Sequence, residues 1–210
     1  MIRDPKDLKR YTASERLNHW TVGMSFILLA ISGLAFFHPA FFPLSGLLGG
    51  PVWARILHPY IGVLMAGAFF IIFMRFKHLN VMTATDKEWL KNAHKMVDGN
   101  DHDMPEQGKY NGGQKGMFWL MCACMGVLLV SGFIAWRPYF AGYFPIPVIR
   151  LALLAHAWAA TGLIAGIIVH VYAAFWVKGT IRAMVEGVVT HAWAKKHHPR
   201  WYREMTGKQK

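Results

Sequence analysis

An uncharged apolar run of 27 residues, 151–177, constrains the fold of this chain more than any other feature. It contains no Asp, Glu, Lys or Arg, and it holds two histidines, His156 and His170. Such a run predicts a transmembrane helix, because about 20 apolar residues span the hydrocarbon core of a bilayer. Ionisable side chains inside such a helix are costly, and they indicate a functional site.

The spacing of these two histidines places both on one face of the predicted helix. Fourteen positions, at about 100° each, leave the two side chains within roughly 40° of one another. The same positions, at ~1.5 Å each, separate them by about 21 Å along the helix axis. One helix face therefore presents an imidazole near each side of a bilayer core about 30 Å thick, which suits two stacked haems.

Three further apolar runs occur in the chain, and 54% of its 210 residues are hydrophobic. The four runs are residues 20–37, 53–75, 116–136 and 151–177. Backbone groups in lipid must be satisfied within their own segment, so each run is predicted to be helical. We therefore predict an all-α membrane protein, a bundle of four transmembrane helices in a single domain, 1–210, with a basic tail at 178–210. No cleavable signal sequence is evident, and the first run is expected to be retained.

The formal charge of +12 is unevenly distributed among the segments that connect the runs. Lys and Arg number five before residue 20, seven in residues 75–115 and eight from residue 178 onward. The other three are Arg55, Arg137 and Arg150. The positive-inside rule then predicts both termini and the central loop on the cytoplasmic side of the membrane. Basic charge on that side attracts anionic membrane lipid, so nucleic acid is not expected as a partner.

Two more histidines complete a set that pairs by depth in the membrane. His19 begins the first predicted helix and His170 lies near the end of the fourth, so both are expected at the cytoplasmic level. His58 lies near the start of the second helix and shares the external level with His156. Two imidazole pairs predict a di-haem cytochrome b with two axial histidines for each iron. The alternative is a haem-free membrane anchor or a proton-relay transporter, although such relays also use intramembrane Asp or Glu.

The other histidines are assigned lesser roles. His38, at the external end of the first helix, is a second candidate beside His58 for the same haem iron. The histidines of the loop and tail, including His198, are predicted to lie in solvent or at an interface. Residues 194–204 cluster basic and aromatic side chains. This part of the tail is expected either to contact lipid headgroups or another subunit, or to be solvated.

Several short motifs resemble those of one family of respiratory proteins. They are RLNHW at 16–20, RILHP at 55–59, KYNGGQK at 109–115, WRPYF at 136–140, FWVKG at 175–179 and the tail segment 193–204. Together they resemble the gamma subunit of respiratory formate dehydrogenase, which is the membrane cytochrome b subunit of that complex. The resemblance covers nearly the whole chain, but residues 81–106 carry no motif of the family.

The resemblance implies the ligands of two haems b. His19 and His170 would bind the cytoplasmic-side haem, and His58 and His156 would bind the periplasmic-side haem. It also implies a site beside the cytoplasmic-side haem for menaquinone or ubiquinone as electron acceptor. The residues implied for this quinone site are Asn111, Gly113, Gln114 and His170. Amides and backbone N–H groups can donate to a quinone carbonyl. From the residues alone, a plain turn before the third helix is the alternative.

The resemblance further implies an electron-transfer role in anaerobic respiration, without catalysis of formate oxidation itself. Formate would be oxidised by a catalytic alpha subunit outside the membrane, and an iron–sulfur beta subunit would pass the electrons to the periplasmic-side haem. Quinone would be reduced at the cytoplasmic side. The uncharged, aromatic external connections are expected to dock the iron–sulfur subunit, and assembly into a higher oligomer is left open. A cytochrome b of another dehydrogenase, such as hydrogenase, is the alternative.

Overall fold

The computed structural model of the chain describes residues 7–97 and 104–207. The helices in these residues are α1 (Ala13–Phe37), α2 (Pro51–Phe76), α3 (Ala84–Lys91), α4 (His94–Val97), α5 (Gly112–Ala135), α6 (Ile146–Trp176), α7 (Thr180–Val185), α8 (His191–His197) and α9 (Pro199–Thr206). Short 3₁₀ helices lie at Pro39–Leu48, Lys77–Asn80 and Ala141–Tyr143. Helices α1, α2, α5 and α6 are long and apolar enough to cross a membrane, which confirms the four predicted spans.

All four long helices begin before the apolar run that predicted them. Helix α1 starts at Ala13, because Thr12 and Glu15 satisfy its first N–H groups. The Thr12 N–H donates to the Glu15 carboxylate at 2.7 Å, and the Glu15 N–H lies 3.3 Å from the Thr12 hydroxyl. This reciprocal capping box fixes a helix start through polar residues. The hydropathy of the sequence therefore predicts where a helix enters the lipid. The first residue of the helix is set by the capping residues, which lie outside the apolar run.

The described residues form two compact units. The helical unit comprises Leu17–Met74 and Leu120–Val169. The loop-and-tail unit comprises the described parts of Met1–Arg16, Arg75–Trp119 and His170–Lys210. The organisation of the chain as one domain stays a prediction.

The core of the helical unit is small and apolar. Met65 of α2, Cys124 and Met125 of α5, and Leu163 of α6 are buried together. Only 11–17% of the apolar window of each long helix is buried, and Trp158, for example, is 70% exposed. This is the distribution expected of helices in lipid, where an apolar side chain loses little by facing outward.

The WRPYF motif at 136–140 forms an aromatic cluster with helix α2. The Tyr60 ring lies 5.2 Å from that of Trp136 in an edge-on arrangement, and the hydroxyls of Tyr60 and Tyr139 are 2.9 Å apart. Phe140 stacks on Phe133 with ring centroids 3.7 Å apart. The motif therefore ties the segment after α5 to the start of α2.

The loop-and-tail unit departs from the all-α prediction by one small sheet. Strands β1 (Leu8–Lys9) and β2 (Val188–Val189) pair antiparallel, with Leu8 opposite Val189. Two-residue strands are too short for a periodic pattern to reveal them. The tail is also folded: Ala183, Val189, Trp193, Ala194 and Trp201 form a buried cluster. The expectation of a solvated tail is therefore wrong for these residues.

His198 was predicted in solvent or at an interface, and this is wrong: the side chain is only 2% exposed. Its Nδ1–H donates to the Gly108 carbonyl at 2.7 Å, so Nε2 accepts from the Arg10 guanidinium at 3.2 Å. Arg10 in turn lies 5.0 Å from the centre of the Trp193 ring and 4.8 Å from that of Trp201. Cation–π contacts of this kind stabilise a buried guanidinium, and the basic–aromatic segment is thus an internal packing motif.

Acid should destabilise the loop-and-tail unit through His198. Burial first, and the nearby Arg10 charge second, lower the pKa of His198 to about 3. The unfolded chain, with a histidine pKa of about 6.5, binds a proton that the folded unit excludes. The free energy of unfolding should therefore fall between pH 6.5 and 4 by up to about 3 kcal/mol.

Thermal unfolding followed by tryptophan fluorescence across this pH range measures the effect. The variant His198→Gln keeps a donor and an acceptor but does not titrate. It should lose less stability in acid than the natural chain, whereas equal losses in both proteins would contradict the prediction.

Candidate functional site

The structure brings His58 of α2 and His156 of α6 together in the helical unit. Their ring centroids are 6.2 Å apart, with an angle of 57° between the ring planes. A metal–imidazole bond is about 2 Å long, and a ring nitrogen lies about 1.1 Å from the centre of a ring whose C–N bonds are near 1.33 Å. Two imidazoles on opposite sides of one metal ion therefore have centroids about 6 Å apart. The observed separation fits one iron.

The tautomer of His58 is set by Ser32 on helix α1. The Ser32 hydroxyl donates its single hydrogen to the Leu28 carbonyl, 2.9 Å away in the preceding turn. The hydroxyl oxygen is 2.6 Å from His58 Nδ1, so Nδ1 carries the proton and donates it there. Nε2 then holds the lone pair. A metal-binding imidazole needs this state, with an acceptor at its other nitrogen.

His156 is oriented in the same way, by a serine hydroxyl on helix α5. The Ser131 hydroxyl donates to the Val127 carbonyl at 2.6 Å, and its oxygen lies 3.0 Å from His156 Nδ1. The next residue, Gly132, allows the imidazole to approach: a Cβ there would lie 3.3 Å from His156 Cε1. Any larger side chain at this position would displace the ring that the serine orients.

The two serine–histidine pairs form an internal repeat. Each of them is a Ser-Gly dipeptide, at 32–33 and at 131–132, followed by a histidine 26 or 25 residues after the serine. No ligand-orienting role was predicted for either serine from the sequence. The repeated spacing between Ser-Gly and the intramembrane His58 and His156 is the signal that could have found both serines.

The two candidate ligands His58 and His156 suit a haem iron better than a metal ion that is bound by protein side chains alone. Within residues 7–97 and 104–207, no group of three His, Cys, Asp or Glu side chains is arranged to hold a metal ion. A haem iron needs only the two axial ligands, because the macrocycle supplies the rest of its coordination. His58 and His156, each with a serine acceptor at Nδ1, meet that requirement.

The remaining predicted histidines lie as follows. His38 caps the 3₁₀ helix Pro39–Leu48, since its Nδ1 accepts from the Ala40 N–H at 3.2 Å. This role explains its position without a haem. His19 lies in the second turn of α1, in the helical unit, and His170 lies six residues before the end of α6, in the loop-and-tail unit. Their pairing stays a prediction.

The residues of the predicted quinone site begin helix α5. The Asn111 N–H donates to Gln114 Oε1 at 3.0 Å, and the Gln114 N–H donates to Asn111 Oδ1 at 2.9 Å. Residues 112–114 are thus the first helical turn of α5, closed by a capping box. Their role in binding quinone stays a prediction. Both side-chain oxygens bind backbone, so the two NH₂ groups are the donors these amides offer to a ligand.

A buried ion pair supports this helix start, and sequence reasoning missed it. Lys115 Nζ lies 2.7 Å from Asp86 Oδ2 and donates to the Val81 carbonyl at 3.1 Å. Asp86 also accepts from the Thr83 N–H at 2.8 Å in a capping box of α3. Burial acts to raise the pKa of Asp86, but hydrogen bonds from Lys115 and Thr83 lower it on balance. The carboxylate is therefore ionised and paired at neutral pH.

Comparison with known proteins gives a family and close relatives. Residues 10–187 match the family described as prokaryotic cytochrome b561. The formate dehydrogenase cytochrome b556(fdo) subunit of Escherichia coli K12 is 55% identical over 196 residues, which cover 93% of this chain and 92% of that protein. The nitrate-inducible formate dehydrogenase cytochrome b556(Fdn) subunit of the same strain is 50% identical over 191 residues, which cover 91% of this chain and 88% of that protein. The cytochrome b556 subunit of formate dehydrogenase from Haemophilus influenzae is 47% identical over 195 residues, which cover 93% of this chain and 82% of that protein.

Proposed function

The chain belongs to the prokaryotic cytochrome b561 family, and on that premise we propose that it is the membrane cytochrome b subunit of a formate dehydrogenase complex. In this role it binds two haems b and delivers electrons from an iron–sulfur subunit to quinone. Relatives that carry this name cover nearly the whole chain at 47–55% identity. The family itself implies haem b, a one-electron carrier when bound.

The observation that carries the proposal is the pair His58 and His156. The ring centroids are 6.2 Å apart, and Ser32 and Ser131 leave the lone pair of each ring on Nε2. His58 and His156, each oriented by a serine, would hold a haem through their Nε2 atoms and would supply it with two fixed ligands.

The second haem is assigned to His19 and His170 by the order of the helices. Helices α1 and α6 are the first and fourth of the apolar helices, so they cross the membrane in opposite directions. The start of α1 and the end of α6 therefore belong to the same side. His19 near that start and His170 near that end would then hold the second haem.

The orientation of the chain follows from its charge. Lys and Arg number 23, and all but Arg55, Arg137 and Arg150 lie before residue 20, within 75–115 or after residue 177. By the positive-inside rule, these basic segments and both termini lie on the cytoplasmic side of a bacterial inner membrane. The level of His58 and His156 is then periplasmic.

The partners are the iron–sulfur beta subunit and the catalytic alpha subunit on the periplasmic side. The two connections on that side expose apolar side chains: Leu47 is 71% exposed and Tyr143 83%. The helix Pro39–Leu48 carries no charged residue. Exposed apolar patches of this kind mark interaction sites, and this one lies next to the level of His58 and His156, where electrons enter.

Quinone, either menaquinone or ubiquinone, is reduced at the cytoplasmic level. Asn111 and Gln114 donate from their NH₂ groups to a quinone carbonyl, and the capping box holds both amides in position. Gly113 offers the backbone N–H of the first helical turn as a further donor, and His170 belongs to the same predicted set of residues. Protons come from the cytoplasm, so electron transfer inward and proton uptake together charge the membrane.

Removing the Gln114 donor should slow quinone reduction. The variant Gln114→Glu keeps the oxygen that caps the helix but lacks the NH₂ group, and Gln114→Leu lacks both. Loss of one hydrogen bond to the ligand should lower kcat/KM for quinone by about tenfold. The rate of haem reoxidation by soluble menadione, in the purified complex reduced with formate, measures this.

Both variants should keep the haem spectra of the natural complex. The exposed Lys87→Gln on helix α3 serves as the matched control and should behave as the natural protein. Unchanged kinetics in both Gln114 variants would remove this residue from the site.

A further inference from the structure

Helix α3 brings an aromatic side chain to the amides that begin α5. A Cβ on Gly113 would lie 3.0 and 3.1 Å from Cζ3 and Cη2 of Trp89, and 3.5 Å from Asn111 Oδ1. A Cβ on Gly112 would lie 3.2 Å from Trp89 Cε3. The six-membered ring of the indole and the Asn111 amide therefore meet at Gly113. The absence of side chains at 112 and 113 makes this approach possible.

Two independent contacts hold helix α3 against the start of helix α5. A Cβ on Gly112 would lie 2.6 Å from the Asp86 carbonyl oxygen, so only glycine allows α3 to pack this closely. The carboxylate of Asp86 is paired with Lys115, whose Nζ is 2.7 Å away, and the two side chains are only 3% and 6% exposed. Removing one partner of such a pair would leave the other charge buried, so the contact resists opening.

Trp89 is half-buried, in contrast to the ion pair that supports it. Part of the ring packs on the glycines, and the side chain as a whole keeps some accessible surface. A quinone head group is a flat ring that is apolar except at its carbonyl oxygens. Amide donors fix one carbonyl, but the ring needs an apolar face, and aromatic side chains supply one in a defined geometry.

We propose that Trp89 is a binding residue of the quinone site and forms the apolar wall against which the head-group ring lies. This proposal rests on the proposed quinone-reducing function. It gives helix α3, which carries no motif of the family, a direct role in substrate binding. It also explains the two consecutive glycines, which admit the indole to the helix start.

Trp89→Leu and Trp89→Phe, prepared in the whole purified complex, test the proposal with menadione as the probe. The KM for menadione should rise about tenfold in Trp89→Leu, because a stacked face is lost, while kcat stays within about twofold. Trp89→Phe retains an aromatic face and should recover most of the affinity. Lys87→Gln, on the exposed surface of the same helix, should leave KM unchanged, and the haem spectra of all variants should match.

The outcomes separate this proposal from the one on which it rests. If Gln114→Glu slows quinone reduction while Trp89→Leu leaves the KM for menadione unchanged, the role of Trp89 is rejected. The proposed quinone site at Asn111 and Gln114 is then retained. If Gln114 and Trp89 variants are both unchanged, the proposed site itself fails. If Trp89→Phe loses as much as Trp89→Leu, or if the haem spectra change, Trp89 is only a structural anchor and the proposal is overturned.

Discussion

Replacing His156 with alanine is expected to remove one haem from the complex and to leave about half of the b-type absorbance per chain. The iron at this level would lose one of its two axial ligands, and His58 alone would face an open coordination position. The haem of the other level, assigned to His19 and His170, should remain. Haem quantified as the pyridine haemochrome per polypeptide measures the loss, and an unchanged content would contradict the assignment.

Two further variants test whether the loss comes from ligation. His38→Ala removes a histidine that caps the 3₁₀ helix Pro39–Leu48, so it should keep both haems. Ser131→Ala keeps the ligand His156 but removes the acceptor at Nδ1. An imidazole without this hydrogen bond is a weaker donor to oxidised iron, so the reduction potential of that haem should rise. A redox titration should show a shift in one haem only.

Replacing Lys115 with methionine should give a large loss of stability in the loop-and-tail unit. It would leave the Asp86 carboxylate buried with its hydrogen bonds from Thr83 but without its cation. Breaking a buried pair on one side costs about 3–5 kcal/mol, and the lower value, about 3 kcal/mol, is expected because the Thr83 bonds remain. Thermal unfolding of the purified complex, followed by tryptophan fluorescence, measures the change.

The double variant Asp86→Asn/Lys115→Met provides the control for this prediction. The change Asp86→Asn keeps an oxygen that can cap α3 but removes the negative charge, so the double variant should be more stable than Lys115→Met alone. In the natural chain, the contribution of the pair is present at neutral pH and is lost as pH falls through the lowered pKa of Asp86. Equal stability of the single and double variants would contradict an uncompensated buried charge.

The membrane-spanning part of the fold could be predicted from local composition. An uncharged run such as 151–177 has one stable state in lipid, because its backbone groups must bond within the segment. The direction of each helix then follows from the order of the spans, and the levels of His58 and His156 follow from that direction. No long-range contact was needed for these steps.

The supporting contacts could not be predicted, because they join residues far apart in the chain. Ser131 reaches His156 across 25 positions, and Lys115 reaches Asp86 across 29. Hydropathy does not distinguish a serine that bonds a carbonyl from one that also orients an imidazole. The position of His198 was wrong for the same reason, since Gly108, its hydrogen-bond partner, lies 90 residues away.

The sequence by itself determined the four apolar helices and their order, since lipid leaves apolar segments only one way to satisfy their backbone. The two levels of histidine are a prediction from that order. The tertiary structure alone decided which nitrogen of His58 and His156 holds the lone pair, because that depends on a hydroxyl from a neighbouring helix. It also decided that Trp89 lies at the start of α5, through Gly113 and the Asp86–Lys115 pair. Helix formation in lipid is a local property of the chain, whereas orientation of a ligand or a binding wall depends on packing between segments.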